Sequence, residues 1–282
     1  MDNLAPSILI IASSLVWTWV VVRRLRSKPI VPPAGTPEPV PLVALLLGNL
    51  WVAMSLTSQL AILVRTETGE GAASPPTKSV QAGDDHKVRP DGAQNSELRL
   101  KNIRDNVYIS AGVAMLLAVA YSLGNNTKQE NELPMLRAVS VGFLAFLASM
   151  MPVLMVLMAL EKTGAGRTSH SLLTFMQSHT SASEIMWVAA SAVVTAPLLE
   201  ELVYRVILQR AISQHFGSQT GIVVAALVFS LVHGWPNMLG LLPLALILGY
   251  VFEQTNNYLA VVATHASFNL CMLLLTVISM KA

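Results

Sequence analysis

The chain has 282 residues and a formal net charge of +2; 53 % of its residues are apolar and only 12 % charged. That charged share is about half the ~25 % usual in a soluble domain. The profile excludes a soluble globular domain, and so small a net charge argues against a nucleic-acid partner. A single cysteine, Cys271, excludes an intramolecular disulfide and a multi-cysteine metal site.

The first apolar run, "SILIIASSLVWTWVVV" at 7–22, is followed directly by "RRLRSK". A signal peptide carries its positive charges before the apolar stretch and small cleavage-site residues after it, so the reversed order reads as an uncleaved anchor. A proline-rich linker leads to a second span at 42–64, and residues 1–65 form an N-terminal pair of spans. Residues 66–106 are rich in Gly, Pro, Ser and mixed charge, with no apolar period, which predicts a largely disordered polar loop. The segment 107–182 holds two further spans, near 107–124 and 135–159, and a polar connection.

The segment 183–282 reads as a core of four spans. The fifth begins near Ser183 and ends at "QHFGSQTG", and the sixth covers 221–233 before the turn "GWPN". The seventh covers 238–252, "EQTNN" turns the chain again, and the eighth covers 258–279. The expected fold class is all-α, a polytopic helical bundle in a lipid bilayer with about eight transmembrane helices. Arg23, Arg24, Arg26 and Lys28 form the densest basic cluster beside a span, which predicts that they face the cytoplasm and that the N-terminus and the 66–106 loop lie outside.

Against that apolar background "LLEELVYR" places Glu200, Glu201 and Arg205 inside the fifth span. A charge at bilayer depth costs at least ~2.5–3.5 kcal/mol on insertion scales, so such groups are usually paired and usually functional. Glu201 and Arg205 are four residues apart, the spacing and order of an intrahelical ion pair. Glu200 points about 100° away round the helix, so Arg205 leaves it unpaired. "FSLVH" puts Phe229 and His233 on one face of the sixth span, and "HASFN" puts His265 and Asn269 on one face of the eighth. Counted from the expected cytoplasmic helix ends, Glu200, His233 and His265 lie at overlapping depths of roughly 14–21 Å. One pocket can therefore hold Glu200, His233, His265 and Asn269.

Blander readings exist for each residue. Adjacent glutamates often form a solvated helix end, but here apolar sequence continues on both sides. A lone intramembrane His is often an interhelical hydrogen bond of about 0.6–2 kcal/mol. His170, His179 and His215 read as surface residues and Phe229 as core. The joint occurrence of the three constellations in the last third of the chain carries the functional reading.

"EELVYR", "FSLVH" and "HASFN" resemble, in order, the EExxxR, FxxxH and HxxxN signatures of the CPBP family of intramembrane proteases. That family holds the type II CAAX prenyl endopeptidases and the bacteriocin-processing and immunity-associated Abi proteins. The resemblance covers about residues 183–280. It implies hydrolysis of a peptide bond in a protein or peptide substrate, with a pocket open to the cytoplasm, in a bacterial cell (plasma) membrane. By motif position Glu200 is the general base that activates water, assisted by His233. His265 and Asn269 stabilise the oxyanion, and Glu201 with Arg205 supports the helix. A carboxylate and two imidazoles also form a known zinc-binding set, so a divalent metal on Glu200, His233 and His265 and a metal-free, glutamate-based hydrolysis both stay open. Other classes are a non-catalytic bacteriocin-immunity or scaffold protein and a transporter. The transporter is disfavoured because charge at bilayer depth occurs in one half of the chain only.

Overall fold

The computed structural model describes residues 39–67, 91–124, 133–163 and 181–279, with 8, 11–16 and 18–19 near the N-terminus. The described residues are helical, with no strand among them. The helices are α1 (Leu42–Glu67), α2 (Asp91–Gly124), α3 (Met135–Lys162), a composite helix from Ala182 to Phe216, α7 (Ser218–Leu231), α8 (Asn237–Thr255) and α9 (Tyr258–Ser279). The composite divides into α4 (Ala182–Ala190), the π-helical turn π1 (Ser191–Thr195), α5 (Ala196–Glu201), the second π segment π2 (Leu202–Gln209) and α6 (Arg210–Phe216).

Five helical stretches are long and apolar enough to cross a membrane: 100–123, 135–162, 182–216, 237–255 and 258–278. A shorter apolar helix, 218–231, and the described apolar part of α1, 42–57, accompany them. The protein is therefore an all-helical integral membrane protein with five such spans among the described residues, against the eight expected. The first expected span, at 7–22, falls mostly outside the described residues. The stretch at 42–64 lies in one helix, Leu42–Glu67, whose side chains are described only to Thr57, and the helix of the sixth, Ser218–Leu231, is too short to qualify. The third span differs as well. Its helix starts at Asp91, within the polar stretch expected to be a loop, because Glu97, Leu98, Arg99, Leu100 and Lys101 are good helix formers ahead of the apolar run. The rest of that loop, 68–90, lies outside the described residues.

Helix ends obey local chemistry. α4 opens with a capping box: the Ser181 hydroxyl accepts from the Glu184 N–H at 3.3 Å, and the Glu184 carboxylate accepts from the Ser181 N–H at 2.7 Å. Gly217 joins α6 to α7 at φ 85°, a conformation open mainly to glycine. Asn256 ends α8 in the left-handed region, and the Asn257 side chain accepts from the Ala260 N–H at 3.0 Å to start α9.

α3 packs against both α8 and α9. Its buried stripe runs Ala138, Gly142, Ala145, Phe146, Ser149, Met150 and Val153, close to a three-four repeat. At Gly142 the backbones meet: a Cβ there would lie 2.6 Å from the Ala260 carbonyl oxygen and 2.7 Å from the Ala263 Cβ. Small residues allow this approach, which carries helix association in lipid. α9, and with it His265, is thereby fixed against the core.

Candidate active site

The carboxylates sit on an irregular helix for a local reason. Pro197 has no N–H, and its ring crowds the carbonyl four residues back, that of Val193. Val193 lies within π1, whose wider turn accommodates that conflict. The six residues of α5 then carry Pro197, Glu200 and Glu201, and π2 widens the helix again. Short π segments inside α-helices concentrate at functional sites. The Tyr258 hydroxyl, at the start of α9, donates to the Leu198 carbonyl at 2.5 Å and ties the two helices beside the carboxylates.

Glu201 turns inward and is fully buried. Its Oε2 accepts from Arg205 Nε at 3.1 Å, the expected intrahelical pair. Its Oε1 faces His265 Nδ1 at 2.7 Å across to α9. A carboxylate oxygen paired with a guanidinium accepts, so Nδ1 carries the proton in this contact. The guanidinium carbon of Arg205 lies 5.2 Å from the centre of the Phe229 ring.

Glu200, one residue back, faces a different space and is half-buried. Its Oε2 lies 3.8 Å from His265 Nε2 and 3.9 Å from His233 Nε2. Those separations are too long for direct hydrogen bonds and suit a shared water or substrate atom. The Glu200 and His233 side chains are 23 % and 28 % exposed, whereas His265 is 4 % exposed. The space is thus more open on the side of Glu200 and His233 than on that of His265.

His233 lies just beyond the end of α7, in the turn before α8. The helix is 14 residues long, which at 1.5 Å per residue is about 21 Å, short of a ~30 Å hydrocarbon layer. Its shortness brings a polar turn to the depth of Glu200, where the sequence suggested a helix continuing to 233. His233 Nδ1 donates to the Phe229 carbonyl at 2.7 Å, because a carbonyl can only accept. Its Nε2 is then the atom facing Glu200.

The structure therefore brings Glu200, His233 and His265 together from three helices. Asn269, one turn beyond His265, uses Nδ2 to donate to the Ala192 carbonyl in π1 at 2.7 Å. The widened turn that relieves Pro197 supplies that acceptor. Phe229 is fully buried core, as expected, and is also the shared wall of the site. Its ring lies 4.7 Å from that of His233, 5.6 Å from that of His265 and 5.3 Å from that of Tyr204. The four-residue spacing in "FSLVH" carried that signal. Nothing in the sequence pointed to the Ala192 carbonyl or to the Glu201–His265 contact.

As a metal centre the three groups fit poorly. Around a tetrahedral ion with bonds of about 2.0–2.2 Å, neighbouring donors would lie roughly 3.3–3.6 Å apart. The Glu200 oxygen stands farther than that from both imidazole nitrogens. Among the described residues no group of three or more His, Cys, Asp or Glu side chains is arranged to hold a metal ion.

A buried ion pair, two imidazoles and a part-exposed carboxylate thus lie together inside apolar helices. Residues 182–271 match the family model for Rce1-like proteins, described as type II CAAX prenyl endopeptidase Rce1-like. This segment is thus similar to the Rce1-like proteins, which supports the resemblance to the CPBP and CAAX-protease family drawn from the three motifs, and it contains Glu200, His233, His265 and Asn269. No curated protein and no solved structure matches the chain.

Proposed function

We propose that the protein is an intramembrane endopeptidase of the glutamate type, hydrolysing a peptide bond in a protein or peptide substrate presented at the membrane. The observation that carries this reading is the part-exposed Glu200 carboxylate standing 3.8 and 3.9 Å from two imidazole nitrogens in an apolar bundle. A water between Glu200 and His233 gives its proton to the carboxylate as its oxygen attacks the substrate carbonyl carbon. The carbonyl π electrons pass to the oxygen, and this oxyanion faces His265 and the second amide hydrogen of Asn269. The intermediate collapses as the C–N bond breaks, and Glu200 returns its proton to the leaving amine. Glu201 and Arg205 hold the helix that carries the base. The pocket opens towards the cytoplasm of a bacterial cell.

The test uses purified protein in detergent with a farnesylated, quenched-fluorescent CAAX peptide as probe. Wild-type protein should cleave it, and Glu200→Gln should lose at least about 10²-fold in rate with unchanged thermal stability. Peptides trapped by Glu200→Gln and identified by mass spectrometry supply the natural substrate if the probe is refused. Equal cleavage by wild type and Glu200→Gln would overturn the assignment. No cleavage of either the probe or the trapped peptides would favour the immunity or scaffold reading.

A further inference from the structure

We propose that Glu201 is a positioning residue for the chemistry, rather than only one half of a structural ion pair. It holds His265 with Nδ1–H turned to itself, so that Nε2 faces Glu200. This deepens the protease reading and rests on it, although its geometry stands independently.

Glu201 has its two oxygens committed to different helices. Oε2 takes Arg205 Nε at 3.1 Å within its own helix, and Oε1 takes His265 Nδ1 at 2.7 Å from α9. An intrahelical pair alone would need only the first contact. With the carboxylate locked by Arg205, Glu201 can only accept, which selects the His265 tautomer protonated on Nδ1. The ring plane is held by the same contact and by the Phe229 ring 5.6 Å away at 73°. Nε2 then has one direction left, towards Glu200 Oε2 at 3.8 Å.

The two histidines are built alike but backed differently. His233 Nδ1 gives its proton to a backbone carbonyl, and His265 Nδ1 gives its proton to a carboxylate. Both present Nε2 to Glu200. Only His265 has an anion behind it. To donate from Nε2 to an oxyanion while Nδ1 donates to Glu201, the ring must carry protons on both nitrogens, and Glu201 is then the counter-charge in contact with it. The charged groups facing one another would be Glu200, Glu201, Arg205 and His265, two of each sign. Moving the water proton to Glu200 while the oxyanion forms leaves that balance unchanged. In a low-dielectric site such balance removes a large electrostatic penalty.

The experiment has an arm that needs no substrate. Long-range ¹H–¹⁵N correlation on histidine-labelled protein in detergent, with His265 assigned by His265→Ala, reads which nitrogen carries the proton. The wild-type ring should be protonated at Nδ1, and Glu201→Gln, whose amide can donate, should change that pattern. An unprotonated Nδ1 in the wild type, or an unchanged pattern in the variant, would overturn the proposal. If Glu201→Gln does not fold beside an unpaired Arg205, the Glu201→Gln/Arg205→Gln double variant serves in its place.

The kinetic arm uses the same farnesylated peptide. Glu201→Gln should lower kcat about 10²–10⁴-fold with little change in KM, and Glu201→Asp should recover part of the loss. In a His265→Ala background, Glu201→Gln should cost almost nothing more, because the two residues act as one unit. A full, additive loss there would assign Glu201 a purely structural role. If the wild type cleaves no peptide, the protease reading falls and the tautomer measurement alone judges the positioning.

Discussion

Arg205 illustrates what a charge in a bilayer protein needs around it. It is fully buried, its Nε is paired with Glu201, and its guanidinium lies against Phe229, while Nη1 and Nη2 have no hydrogen-bond partner among the described residues. Removing the guanidinium would leave the equally buried Glu201 with only an imidazole. Arg205→Ala should therefore lower stability by about 3–5 kcal/mol, as for other broken buried pairs, and Glu200→Gln, altering a water-exposed group, should leave it nearly unchanged. Thermal unfolding of both variants in one detergent checks this; an Arg205→Ala protein as stable as wild type would count against the pairing. The Glu201–Arg205 contact was legible from the four-residue spacing alone. The second partner of Glu201 was not, because His265 lies 64 positions away along the chain and nothing local specifies which oxygen it meets.

At the scale of elements, the sequence showed most helices because apolar runs and turn residues alternate clearly between 133 and 279. What it hid were departures from regular helix. A proline at 197 disturbs a helix without fixing the form of the disturbance, and the π turns on either side of Glu200 and Glu201 depend on how neighbouring helices donate to the freed carbonyls, as Asn269 does to that of Ala192. The end of α7 was missed for a similar reason, since Val232 and His233 continue the apolar pattern while the backbone already turns. Close approach of helices was equally silent until Gly142 was seen against Ala260 and Ala263. Gly142→Val should push α9 away from α3 and cost about 1–3 kcal/mol, the usual range for overpacking. Because α9 carries His265, activity should fall along with the melting temperature. A fully stable, fully active Gly142→Val protein would show that α9 is positioned from elsewhere.

For the whole molecule, the polar contacts outside the site report which helix ends share a side. Arg210 on α6 donates to the Tyr121 hydroxyl near the end of α2 and to the Asn256 side chain between α8 and α9. Its guanidinium carbon also lies 5.7 Å from the Tyr121 ring and 5.2 Å from the Phe252 ring. Near it, the buried Gln209 amide donates to the Gly249 carbonyl at 2.9 Å. At the other end, Tyr108 of α2 meets Trp187 of α4 edge-on at 5.7 Å. The end of α2, the start of α6 and the α8–α9 turn thus gather on one face, and the starts of α4 and of the apolar part of α2 lie towards the other. Threading the eight expected spans from an outside N-terminus would likewise send residues 124, 214 and 256 to one side. The expectation of which face is the cytoplasm rests on Arg23 to Lys28 alone. In a Cys271→Ser background, a cysteine replacing Ser79 should react with a membrane-impermeant maleimide in intact cells. One replacing Gln219, at the exposed start of α7, should react only after permeabilisation. The reverse pattern would invert the molecule and move the opening of the Glu200 pocket to the outer face.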